Sequence, residues 1–121
     1  MALHTMKLNP DPFVKIASGK KTVELRLNDA KRQKISVGDT IRFTQNESGE
    51  QLDAEVIALH RFRSFAELYR ALPLEKCGYA ADELAQADPR DMERYYSAEE
   101  QASCGVVGIE LRCLPPSEKR K

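Results

Sequence analysis

Thr22, Glu24 and Arg26 stand two residues apart in the run GKKTVELRLNDAKRQKISVGDTIRF, Gly19 to Phe43, with Lys20 and Lys21 just ahead of them. On an extended strand this spacing sets the three side chains along one face, about 6.6–7 Å apart. A carboxylate held there can accept from the amino group of a base, while Arg26 and Lys21 can meet a phosphate or a developing oxyanion. If the site is catalytic, Lys21 is the candidate base or nucleophile and Glu24 its partner. If the face is merely solvated, the charge pair contributes little. The residues alone leave both readings open. Lys31 and Arg32 extend the basic stretch, and Tyr96 with Ser97 add an aromatic surface and a hydroxyl farther on. A tyrosine there can stack a base, or it can pack on the core.

Other chemistries find little support. There is no G-x-S-x-G, P-loop or G-x-G-x-x-G motif, and Ser97, Ser103 and Cys104 lack a local base for a nucleophilic triad. Cys77, Cys104 and Cys113 are widely spaced, which argues for free thiols rather than a disulfide framework or a zinc site. With His4 and His60 as the only histidines, neither a metal centre nor a cofactor is expected.

The net charge is zero, but unevenly spread: residues 1–42 carry nine Lys/Arg against four Asp/Glu, and residues 43–110 carry six against fourteen. The basic part contains the Thr22–Arg26 face, which suits an anionic partner. No apolar run approaches a membrane span. MALHTMKLN lacks the apolar core of a secretory signal, so the expected location is the cytoplasm.

Positioning these residues falls to short elements. Asp11-Pro12 ahead of Phe13, Val14 and Ile16 predicts a helix that stops at Gly19. Thr22–Leu27 alternates as a strand, residues 28–37 form a charged loop, and Gly38-Asp39 turns into a strand over residues 40–45. Asn46–Glu50 connects to a long strand, Leu52–Phe62. Ser64 and Glu67 fit a capping box ahead of Phe65, Leu68, Tyr69 and Leu72. Pro89-Arg90-Asp91 starts a further helix that Tyr95-Tyr96-Ser97 closes, and GVVGIELRC, Gly105–Cys113, is the last strand. This order predicts an α+β fold, a small and mostly antiparallel β-barrel with flanking helices. One domain covers residues 1–113, and residues 114–121 form a basic, disordered tail.

The pattern G-K-K-T-V-E-L-R-L-N-D-x-K-R-x-x-I-x-x-G-D-x-I-x-F resembles the signature region of the ASCH domain family, whose members have a PUA-like β-barrel. The R-F-R-S-F-A-E-L-Y block, Tyr95-Tyr96-Ser97 and the G-V-V-G-I-E-L strand agree with it. The resemblance implies a cleft between barrel and helices that binds RNA, a nucleotide or a nucleoside. Its contacts would come from Lys20, Lys21, Glu24, Arg26, Lys31, Arg32, Tyr96 and Ser97. It further implies that the apolar face of the Thr22–Leu27 strand builds the barrel while the charged face lines the cleft. The alternative is a hydrolase, either a ribonuclease or an amidohydrolase. One bacterial subgroup of the family removes the acyl group of N4-acetylcytidine with a lysine, a threonine and a glutamate. The lysine matches Lys21, the threonine falls on Glu24, and the glutamate corresponds to Glu67 or Glu75. The present chain is closer to the E-x-R branch of the family.

Overall fold

Val23, Leu25 and Leu27 are buried, as their alternation requires, yet Glu24 between them is buried as well. The surrounding sheet explains this in a computed structural model that describes residues 2–114. The strands are β1 (Leu3–Leu8), β2 (Val23–Leu27), β3 (Thr40–Gln45), β4 (Gln51–Phe62) and β5 (Val106–Cys113). They form one sheet in the order β1-β3-β4-β5-β2, antiparallel throughout except for the parallel pair β1 and β3. The class is α+β and the sheet mostly antiparallel, as expected. The barrel, however, is an open half-barrel, with β1 and β2 as unpaired edges. Side chains cross that seam instead of a ladder: Arg26 Nη2 donates to the Lys7 carbonyl at 2.9 Å, and Lys31 Nζ to that of Thr5 at 2.7 Å.

Three elements depart from the sequence reading. β1 is an additional strand; only His4, Met6 and Leu8 point inward, too short an alternation to stand out. Helix α1 (Pro10–Ala17) begins at Pro10 behind Asn9, one proline earlier than expected, because Pro10 already supplies the fixed φ of a first helical residue. The 28–37 segment contains a short helix, α2 (Ala30–Gln33), capped by the Asp29 side chain. Farther on, α3 (Phe65–Ala71) is capped by Ser64 as expected. Three 3-10 stretches follow, Leu74–Cys77, Ala81–Gln86 and Pro89–Arg94. Ser97 does not close the last of them. It opens α4 (Ala98–Cys104), accepting from the Glu100 amide while Glu100 accepts from the Ser97 amide.

The register decides which side of β2 faces what. Directly opposed residues of antiparallel strands share a face. Val23, Leu25 and Leu27 oppose Glu110, Gly108 and Val106, whereas Glu24 and Arg26 oppose Ile109 and Val107. Val107 and Ile109 belong to the main core with Phe13, Ile16, Ile41 and Phe43. Val23, Leu25 and Val106 pack outside the sheet with Phe65, Leu68 and Tyr69. The apolar face of β2 therefore does not build the barrel interior, whereas the charged face lies on the cleft side as expected. The apolar face of β2 is covered by α3, and Glu24 and Arg26 sit on the concave side at its open seam.

The tail assigned to residues 114–121 lies, apart from Leu114, outside the described residues; the Leu114 amide donates to Asp53 O at 2.9 Å. Among the described residues no helix is long and apolar enough to cross a membrane.

Asp39, in the turn before β3, fastens β1 in place. Its carboxylate accepts from the Ala2 and Ser36 amides at 3.0 and 2.9 Å and from His4 Nε2 at 2.8 Å. These bonds, the one from His4 foremost, hold its pKa at about 2, below the ordinary 3.8. A depressed carboxyl contributes stability that is complete above its unfolded value and lost as pH falls through the folded one. Asp39→Asn is accordingly expected to lower the urea midpoint at pH 7 and to converge with wild type between about pH 4 and about pH 2. An equal deficit at both ends of that window would contradict it.

Candidate functional site

Lys21 reaches the seam because the chain reverses after α1. Its amide donates to the Lys15 carbonyl at 3.0 Å, and the Thr22 amide donates to the Lys76 carbonyl at 2.8 Å, so β2 starts pinned between α1 and the first 3-10 stretch. The Lys21 stem lies against the backbone at Gly78, where φ is 110° and an added Cβ would come 3.2 Å from Lys21 Cδ. Gly78 therefore permits both the left-handed turn and the close approach.

Glu24 is the centre of the arrangement. Arg26 Nε donates to Oε2 at 2.6 Å, and Lys21 Nζ stands 2.9 Å from Oε1. Each carboxylate oxygen is thereby matched to one cation, Oε1 to Lys21 and Oε2 to Arg26. Burial pushes the Glu24 pKa up, but Lys21 and Arg26 outweigh it and hold the carboxyl below its ordinary value. Burial likewise opposes the Arg26 charge, while the neighbouring Glu24, and Tyr96 after it, raise its pKa. With Glu24 and Lys7 O as acceptors, Arg26 is a brace across the seam rather than a free phosphate binder.

These groups line a cleft of about 590 Å³ bounded by β1, α1, β2, α3 and the 3-10 stretches. Its volume lies within the range of small-molecule sites. Five cationic and four acidic side chains line it, so it is mixed rather than a basic groove. Tyr96 stacks on Phe65, centroids 6.1 Å apart, while Tyr95 is exposed at the rim. In the wall, Tyr69 Oη lies 2.6 Å from Tyr79 Oη, which donates to Asp91 Oδ2 at 2.7 Å. Burial raises the pKa of both phenols. For Tyr79 the bonds with Tyr69 and Asp91 raise it further, so both hydroxyls keep their hydrogens at neutral pH. Cys77 also lines the cleft, but burial lifts its thiol to about 11, which leaves it a poor nucleophile.

The structure thus brings Lys21, Glu24, Arg26 and Tyr96 together. Other candidate residues lie elsewhere. Lys20 is exposed outside the lining. Lys31 is engaged by Thr5 O, and Arg32 by Asp29 at 3.0 Å. Ser97 is occupied as the cap of α4. Glu67 is bound to Arg63, through its amide at 3.1 Å and its guanidinium at 3.1 Å, and Glu75 is exposed; neither lines the cleft. His60 is a strand residue paired with Glu110 at 3.0 Å. Lys7, Lys15, Tyr69, Tyr79 and Asp91 line the cleft although nothing in the sequence pattern marks them. They come from β1, α1, α3 and the irregular segment, and no local motif joins them.

Residues 6–115 match the family model of the ASCH domain. Among solved structures, the crystal structure of hypothetical protein PH0355 is 29% identical, with a TM-score of 0.76 over 94% of this chain and 100% of that one. Protein PF0455 from Pyrococcus furiosus is 32% identical, with a TM-score of 0.67 over 93% and 97%. The ASCH protein from Zymomonas mobilis, 19% identical, shares the fold with a TM-score of 0.61 over 91% of this chain and 66% of that one. No curated protein matches the chain.

Proposed function

The chain belongs to the ASCH domain family, and from that premise we propose that its seam cleft binds RNA or a free nucleotide, one nucleotide at a time. The observation that carries the reading is the cleft itself, where Glu24 lies buried between Lys21 and Arg26 in a lining that includes Tyr69, Tyr79, Tyr95 and Tyr96. A cleft of about 590 Å³ with balanced charge suits a single base and its phosphate better than a long polyanion. Tyr95 and Tyr96 offer stacking surfaces, and Lys7 and Lys21 offer charge to the phosphate.

The test is equilibrium binding of nucleoside monophosphates and short single-stranded RNA across a salt series. Binding is expected, with log K falling linearly against log salt. For RNA, Lys7→Ala/Lys21→Ala should lessen that slope by about 0.7 for each phosphate the protein ceases to neutralise, whereas Lys31→Ala/Arg32→Ala should leave it unchanged. The opposite pattern would move the interface away from the cleft and onto α2.

A hydrolytic reading has one observation in its favour, the 2.9 Å approach of Lys21 Nζ to a carboxylate inside the cleft. Against it, position 24 carries no hydroxyl, and its carboxylate is already engaged by Lys21 and Arg26. Wild type is expected to release little or no acetate from N4-acetylcytidine. Turnover that drops at least about 100-fold in Lys21→Ala, or that appears in folded Glu24→Thr, would establish catalysis instead.

A further inference from the structure

A single oxygen gathers both ends of one surface segment. Asp91 Oδ2 accepts from the Tyr79 hydroxyl at 2.7 Å and from the Asp88 amide at 3.2 Å. Between those two donors run residues 80–87, which contain the 3-10 stretch Ala81–Gln86. A compact surface loop whose ends meet in this way is an Ω-loop, a kind that often carries function. Its neck is also fixed to the body of the protein. Tyr79 Oη lies 2.6 Å from Tyr69 Oη on α3, and Lys15 Nζ of α1 donates to the Gly78 carbonyl at 2.8 Å.

Nothing comparable holds the loop itself. Residues 80–86 are all exposed, and among the described residues the hydrogen bonds of 80–87 stay within the segment. The Glu83 amide donates to Ala80 O at 2.9 Å and the Ala87 amide to Leu84 O at 3.2 Å, while Glu83 Oε1 accepts from the Ala80 amide at 2.7 Å. A segment with no buried side chain and only local bonds opens at small cost in free energy, and a fixed neck need not follow it. Yet this segment is part of the site, because Glu83 and Gln86 line the cleft.

We propose that residues 80–87 are a lid on the cleft, opening as a unit about a neck that Asp91 latches. The proposal goes beyond nucleotide binding, since opening is a property of the chain alone and is read without a ligand. Cys77 supplies the probe. It is buried in the same cleft lining, next to Gly78 at the foot of the loop. Its thiol, lifted to about 11 by burial, reacts slowly while the cleft is shut.

The test is alkylation of the whole chain by iodoacetamide at a series of urea concentrations below the unfolding transition. Each cysteine is read separately by peptide mass spectrometry, with exposed Cys113 as the internal reference. If the lid opens locally, Cys77 reacts at a rate that urea hardly changes, because little surface is uncovered. Asp91→Ala releases both ends of the loop and should raise that rate about tenfold, the scale of a hydrogen bond to a charged group. Asp91→Asn keeps an acceptor oxygen and should restore most of the wild-type rate. A merely structural loss would instead raise labelling with the full urea dependence of unfolding. A wild-type Cys77 rate that climbs from zero urea with the m value of global unfolding overturns the lid, and it decides the matter even if a variant fails to fold. A flat rate left unchanged in folded Asp91→Ala overturns it as well, as does Asp91→Asn labelling as fast as the alanine variant. None of these results bears on the nucleotide reading, which the salt series decides.

Discussion

Glu24→Ala is expected to destabilise the fold by about 3 kcal/mol and to abolish ligand binding. Removing one partner of a buried ionic cluster strands the others, and that loss exceeds the worth of the pair itself. The stranded groups are the side chains of Lys21 and Arg26, only 12% and 14% exposed, which would be left facing each other as like charges. Arg26 would keep its bond to Lys7 O, so the seam would loosen rather than separate. Glu24→Gln retains shape and one acceptor while removing the charge, and should fall between alanine and wild type. The measurement is the urea midpoint of each variant at constant m. A loss below about 1 kcal/mol in Glu24→Ala would mean that water in the cleft already neutralises the two cations.

Gly105→Ala should be about as damaging, by a different cause. Gly105 links α4 to β5 with φ 72° and ψ −172°, a region essentially reserved for glycine. An added Cβ would also stand 2.8 Å from the carbonyl oxygen of Phe62, at the end of β4, where neither backbone can yield. Strain and clash together are expected to cost about 3 kcal/mol and to lower the melting temperature by on the order of 10 °C. Gly108→Ala is the control. Its Cβ would come equally close, 2.8 Å, but to Leu72 Cδ1, the tip of a flexible side chain. A smaller drop at 108 than at 105 is the expected order, and the reverse would show that the α3 side of β5 is the less forgiving.

Much of the sheet is legible in the sequence because alternation survives in single strands. Thr22–Leu27, residues 40–45, Leu52–Phe62 and Gly105–Cys113 all appear within a residue or two of the observed strands. Alternation says that β2 has two faces, but not which face the helices cover, and there the expectation fails. That information lies in the register with β5 and in the packing of α3, both non-local. Ser97 does carry a local signal: with Glu100 three residues on it forms a capping box, which places the hydroxyl at a helix start rather than in the cleft. The Tyr69–Tyr79–Asp91 chain carries no comparable sign. Its members are ten and twelve residues apart, Tyr69 in α3 and the other two in the irregular segment, and only the fold brings them into line.

The open seam has a consequence for how this chain meets its own copies. An exposed edge strand presents a row of backbone acceptors on which another chain can template itself, the first step of sheet-to-sheet aggregation. On β1 the carbonyls of Thr5 and Lys7 are already taken by Lys31 and Arg26, long cationic side chains that leave a foreign strand no matching ladder. The two side chains that span the open seam thus also blunt the β1 edge as a template, so one pair of residues serves both the opening and its protection.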